Sequence, residues 1–224
     1  MAAFSGGEKR EQMKGRNMNG PLVIDIYHGD VVVDFARVKA AGIVGVIHKA
    51  SQGGGVIDHA YASRRKLALA AGLKWGAYHF FDFSAPAAHQ ANFFLSCANA
   101  GADTLVALDW ETIGNAQPST ALARAFLEEI EAKLDRKAVI YSGNVAKEQI
   151  KGKDDYFGAH KLWLCEYGAS WKVQESWAAP WLWQNNGDSY GPGPHAIPGL
   201  LGLVDNNTIV PPMTADRLIA EWAR

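Results

Sequence analysis

From Pro21 onward, short apolar runs with a two-residue period alternate with segments of helical period, and few folds accommodate that alternation. Eight runs read as strands: Leu22 to Tyr27, Val44 to Ala50, Trp75 to Phe81, Leu105 to Glu111, Ala138 to Ser142, Leu162 to Tyr167, Pro180 to Asn185 and Leu203 to Ile209. The first five are each followed by a predicted helix. Asp34 caps the first and Gly42 stops it; Asp58 opens the second, which Gly72 ends after Ala71. Pro86 opens a third helix to about Ala100, Pro118 and Ser119 a fourth to Leu134, and Asn144 a short fifth to about Ile150. Beyond that the strands are joined by loops, and Pro192, Pro194 and Pro198 with their glycines form a stiff, non-helical connection.

Strand and helix in alternation imply parallel strands with crossover helices, and eight strands in 224 residues with 48% hydrophobic content suit one closed α/β barrel. An open doubly wound sheet is the rival, but no GxGxxG follows the first strand and no P-loop lysine is present. The last three strands lack helical cover, so the expectation is a TIM-like barrel with helices after the first five strands only. Residues 1–20 read as a flexible N-terminal arm and 21–224 as a single barrel domain.

The barrel gives the acids of the chain a common address. In LVALDWE, strand alternation puts Ala107, Asp109 and Glu111 on one face and Val106, Leu108 and Trp110 on the other. The Cα atoms of Asp109 and Glu111 would then lie about 6.6 Å apart, in the range at which glycosidases hold paired acids. Active sites of such barrels form at the C-terminal strand ends. Asp25 on the first strand and Asp205 on the eighth would join the pair there, since first and last strands are neighbours in a closed barrel. The same mouth would collect Lys49, Tyr78, Tyr141, Tyr167, Trp183 and Gln184, a polar and aromatic lining of the kind that holds a sugar chain.

A formal net charge of −1 offers no basic surplus for nucleic acid or an anionic membrane. Cys97 and Cys165 belong to no CxxC or Cys/His cluster, so no metal site is expected and two unpaired, buried thiols are. The first 20 residues have no apolar core of a secretory signal, and no stretch approaches the roughly 18 apolar residues of a membrane helix.

Eight segments in order resemble the motifs of glycoside hydrolase family 25, the muramidase lysozymes. They are DIYHGD from Asp25, HKASQG from His48, AGLKWGAYHFF from Ala71, ALDWE from Ala107, IYSG from Ile140, LWLCEY from Leu162, LWQNNG from Leu182 and VDNN from Val204. The resemblance implies a (β/α)5(β)3 barrel that cleaves the β-1,4 bond between N-acetylmuramic acid and N-acetylglucosamine in peptidoglycan. It implies Glu111 as proton donor and Asp109 as nucleophile or as the group that orients the substrate's acetamido oxygen, flanked by Asp25 and Asp205. Two departures stand out: Tyr27 replaces a small residue in the first motif, and Gln52 replaces an acid in the second. No cofactor is implied; the partner is the peptidoglycan glycan strand, and a monomer is expected. Synthesis in the cytoplasm and action on the cell wall after release or delivery by another system follow.

Two other readings stay open on the residues alone. A metal-dependent barrel hydrolase could use His28, His48 and His79 with Asp109, although an HxH pair is missing. A non-catalytic glycan-binding barrel could use the same aromatics and acids without cleaving.

Overall fold

A computed structural model describes residues 20–224. Residues 1–19, and with them nearly all of the expected N-terminal arm, lie outside the described residues. In chain order the elements are β1 Val23–Ile26, β2 Val31–Val32, α1 Phe35–Ala40, β3 Gly45–Gln52, β4 Val56–Ile57, α2 Tyr61–Ala70, β5 Lys74–Phe80, α3 Ala87–Ala98 and β6 Leu105–Asp109. They continue with α4 Thr120–Leu134, β7 Val139–Ser142, α5 Asn144–Gln149, α6 Asp155–Gly158, β8 Leu162–Cys165, β9 Leu182–Asn186, β10 Leu200–Leu201, β11 Asp205–Thr208 and α7 Ala215–Glu221.

Eight of these strands close a barrel in the order β1, β3, β5, β6, β7, β8, β9, β11, with β1 pairing both β3 and β11. Neighbours from β1 through β9 are parallel, as crossover helices require. The last strand departs from the expected all-parallel arrangement: β11 runs antiparallel to both β9 and β1. No helix lies between β9 and β11, so nothing carries the chain back to the starting end of the barrel before β11 begins. Three two-residue strands, β2, β4 and β10, were not foreseen; β4 pairs with β3, and β2 pairs with β10 outside the barrel sheet.

Two apolar layers follow from the strand period. Outward residues such as Ile24, Val46, Trp75, Leu108 and Ile140 pack under the helices with Phe94, Phe126 and Leu127. Inward residues Val23, Ile47, Leu105, Ala107, Val139 and Leu182 fill the barrel interior. Helical caps largely follow the sequence: Asp34 accepts the Ala36 N–H, and Ser119 accepts the Leu122 N–H. Asp58 is an exception, because α2 begins at Tyr61 and its side chain serves His28 and Ala60.

After β11 the chain forms α7, a helix not anticipated from the sequence, capped by Thr214. Its Leu218 and Trp222 belong to the interior layer, and Trp222 Nε1 donates to the Trp75 carbonyl at 2.7 Å. Any Cβ at Gly45, the first residue of β3, would sit 2.4 Å from the Trp222 ring. Glycine there is what admits the indole, which closes the end of the barrel opposite the acids. Cys97 on α3 and Cys165 at the end of β8 are free thiols, each half-buried where full burial was expected. Among the described residues no helix is long and apolar enough to cross a membrane.

Candidate active site

The acids meet at one mouth. Asp25 is near the end of β1, Asp109 ends β6 and Glu111 lies two residues beyond it. Asp205 begins β11, and because that strand is antiparallel its first residue stands beside Asp25, its register partner. The strand period persists past the last ladder residue of β6. Trp110 turns outward, stacks on Phe157 and donates from Nε1 to the Pro118 carbonyl, which leaves Glu111 facing inward.

A cavity of about 230 Å³ is lined by Asp25, Tyr27, Lys49, Tyr78, Phe80, Asp109, Glu111, Tyr141, Trp163 and Asp205. A second of about 380 Å³ runs on past Glu111 between Thr112, Asn144, Cys165, Glu166 and Tyr167. Glu111 is the one residue that lines both.

Of the residues expected to line the mouth, Lys49, Tyr78 and Tyr141 line the first cavity and Tyr167 the second. Trp183 does not. It is adjacent to inward-facing Gln184 on β9, so its ring is on the outer face, buried in the helix-covered layer with Nε1 on the Glu166 carbonyl. Gln184 is fully buried and its hydrogen bonds are spent within the protein. Its amide donates to both oxygens of Asp25 at 3.0 Å and to Asp205 at 3.3 Å, while its carbonyl accepts from the Tyr141 hydroxyl at 2.8 Å. Asn207 donates to Asp25 at 2.7 Å and accepts from Trp163 Nε1. Trp163, Phe80 and Asn207 were missed by the sequence reading; Trp163 was findable, since it shares the inward phase of Cys165 in LWLC.

The electrostatics follow from burial. Asp25 is pushed well above the usual carboxylate range by burial and by the charge of Asp205, against the hydrogen bonds from Asn207 and Gln184. Burial, then the charge of Glu111, raises Asp109, while the Lys49 ammonium opposes this. Glu111 is raised by burial first and by the charge of Asp205 second, while the neighbouring Asp109 side chain lowers it. Two adjacent acids in a desolvated mouth thus retain a proton between them above the ordinary range. Asp205 is pushed up to about 6, chiefly by burial. Lys49 donates to Gln52 at 2.7 Å and rests over the Phe80 ring, so the residue that replaces an acid holds the ammonium without neutralising it.

The histidines do not gather round Asp109. His48 and His79 are fully buried on the outer face of the barrel, and burial lowers each to about 4. His48 is bonded to the Lys49 carbonyl and to Arg64, His79 to Ser51 and Gln90. His28 sits in the turn after β1, bonded to Asp58.

The family model for glycosyl hydrolases family 25 matches residues 24–193. An autolytic lysozyme of Clostridium acetobutylicum is 33% identical over 152 residues, which is 66% of this chain and 45% of that protein. The matched part thus spans about half the length of the relatives found by sequence. Among solved structures, a bacterial lysozyme from Streptomyces coelicolor superposes with a TM-score of 0.79 at 24% identity, covering 91% of this chain and 97% of that one. A family GH25 lysozyme from Aspergillus fumigatus does so with 0.71 at 26% identity, covering 88% and 97%.

Proposed function

The chain belongs to glycoside hydrolase family 25, and from that premise we propose that it hydrolyses peptidoglycan at the β-1,4 bond between N-acetylmuramic acid and N-acetylglucosamine, with Glu111 as the general acid. The observation that carries the assignment is the position of Glu111 at the junction of the two cavities. A glycan strand threaded through both would present its scissile oxygen there.

Glu111 gives its proton to the leaving glycosidic oxygen as the C1–O bond breaks, and the sugar ring develops oxocarbenium character. Asp109 acts beside it, two residues earlier at the end of β6. A nucleophile and an acid on opposite sides of the bond need their carboxyls about 5 to 5.5 Å apart. We assign Asp109 the other role, orienting the substrate's acetamido group, whose own oxygen closes on C1. Its buried Oδ1 has no hydrogen-bond partner among the described residues and is free to accept the acetamido N–H. Water then opens the cyclic intermediate, giving its proton to the Glu111 carboxylate. Asp205, ionised above a pH of about 6 and held by Gln184, adds negative potential opposite the developing positive charge, and Asp25 stands beside it on Gln184 and Asn207. The substrate-binding set is Lys49, Tyr78, Tyr141 and Tyr167, with Trp163 added and Trp183 and Gln184 removed.

The test is mass analysis of fragments from purified peptidoglycan. Reducing-end N-acetylmuramic acid is expected from the parent protein, and Glu111→Gln should cut the rate by about 10² to 10⁴ while binding survives. Binding with no fragments released by the parent would favour the glycan-binding barrel instead. De-N-acetylated peptidoglycan should be a poor substrate; equal rates on both forms would rule out acetamido assistance.

A further inference from the structure

A second cluster of chemistry-bearing side chains lies outside the cavities, where the turn after β1 meets the segment leading into α2. We propose that His28, Asp58 and His59 form a binding site for a divalent transition cation of the zinc class. Their donor atoms, one from each residue, lie within 4.8 Å of one another. His28 Nδ1 and Asp58 Oδ2 are 2.9 Å apart. Metal–ligand bonds of about 2.0 to 2.2 Å in a tetrahedron separate neighbouring donors by roughly 3.3 Å, so small rotations bring these two to ligating positions. The His28 and His59 rings are 5.0 Å apart between centroids and inclined by 46°, near enough to converge on one ion.

The site is held in place before an ion arrives. The Asp58 side chain is only 1% exposed, and its carboxylate is fixed by the His28 backbone N–H at 2.8 Å and the Ala60 N–H at 3.0 Å. Both bonds remain when Oδ2 turns its other lone pair to a metal. The turn that carries His28 is tied by the Asp30 carboxylate to the Tyr27 N–H and by Arg64 to the Tyr27 and Asp30 carbonyls. His59 is exposed, and its ring has no hydrogen-bond partner among the described residues, so it is free to swing inward. Both imidazoles open to solvent, which leaves a fourth position for water.

Two imidazoles and one carboxylate match Zn²⁺, Co²⁺, Ni²⁺ or Cu²⁺, whereas Mg²⁺ and Ca²⁺ take oxygen donors. None of the three residues lines the catalytic cavity, so the ion would not touch the reacting atoms. It would fasten the turn after β1 to the start of α2. Tyr27, next to His28, is part of the cavity wall beside Asp25; a bound ion therefore stiffens that wall.

The measurement is calorimetric titration of the full chain with ZnCl₂ after chelator treatment and desalting, supported by visible spectra of the Co²⁺ form. One equivalent of Zn²⁺ is expected to bind, with tetrahedral Co²⁺ bands that Zn²⁺ displaces. His59→Ala and His28→Ala should each weaken binding at least 10-fold and abolish the Zn²⁺-dependent rise in Tm, while His89→Ala leaves both unchanged. Both key substitutions are at exposed side chains, so the variants fold. No saturable Zn²⁺ binding by the parent, or unaltered binding by His59→Ala and His28→Ala, would overturn the proposal. Neither readout uses hydrolysis, so its outcome is separate from that of the glycosidase reading.

Discussion

Gln184 shows how much of the mouth depends on a residue no substrate reaches. Its one amide bridges Asp25 and Asp205, and its carbonyl fixes Tyr141. Gln184→Met keeps the volume but strips three acceptor oxygens and one hydroxyl of their partner, at a cost of about 1–3 kcal/mol. The expected outcome is a lower Tm and a fall in kcat with little change in KM, read from thermal melts and from reducing-end release. A fall in KM-dependent terms alone would instead mean that Gln184 reaches the sugar. Asp205 offers a second test at this scale. Its folded pKa of about 6 lies above the ordinary 3.8, so the fold holds this proton where the unfolded chain does not. That contribution favours the fold fully below pH 3.8 and is lost as pH rises through 6. Asp205→Asn cannot titrate, so its Tm relative to the parent should climb from pH 4 to 6 and then level off. The gain should be at most about 3 kcal/mol for a shift of about two units; melting curves across that range check it.

At the scale of elements, α7 closes the end of the barrel away from the acids. Trp222 is 2% exposed and packs against Gly45 and Trp181. Trp222→Ala should destabilise by about 3–5 kcal/mol through the cavity it leaves. Gly45→Ala should cost about 1–3 kcal/mol, since a methyl at 2.4 Å from the indole forces one of them to move. The two penalties should not add in the double variant, because the clash disappears with the ring; denaturant unfolding of all three proteins measures this. Additive losses would show that the Gly45 methyl meets something other than Trp222. The helix was foreseeable in part. Thr214 caps it and Asp216 lies in its first turn, but seven residues give too short a run for a period to register.

Over the whole molecule, opposite titrations share one pH window. The mouth acids Asp25, Asp109, Glu111 and Asp205 are raised, so their contribution falls as pH rises above the ordinary carboxylate range. Buried His48 and His79 are lowered from 6.5 to about 4, so theirs is complete above pH 6.5 and is lost as pH falls toward 4. The two slopes oppose each other between pH 4 and 6.5, so parent stability should fall with pH less steeply there than the acids alone dictate. Removing the Asp205 slope should make that fall shallower in Asp205→Asn, which melting curves across the same window check.

The strand–helix alternation and the inward phase of Asp25, Asp109, Glu111 and Lys49 were legible in the chain itself. A two-residue period records which face of a strand is buried, and that is a local property. The same period, applied to adjacent Trp183 and Gln184, separates them onto opposite faces, so the outward turn of Trp183 was also within reach of the sequence. The rest depends on contacts between distant segments. Gln184 meets Asp25 across 159 residues and Asn207 meets it across 182, and no local pattern says whether a polar side chain will spend its bonds on substrate or on its neighbours. The direction of β11 was likewise settled by barrel closure, because only an antiparallel last strand carries Asp205 to the mouth without a crossover helix. Strand period also puts His48 and His79, neighbours of inward Lys49 and Tyr78, on the outer face, whereas tertiary structure alone set His28 against Asp58 and His59.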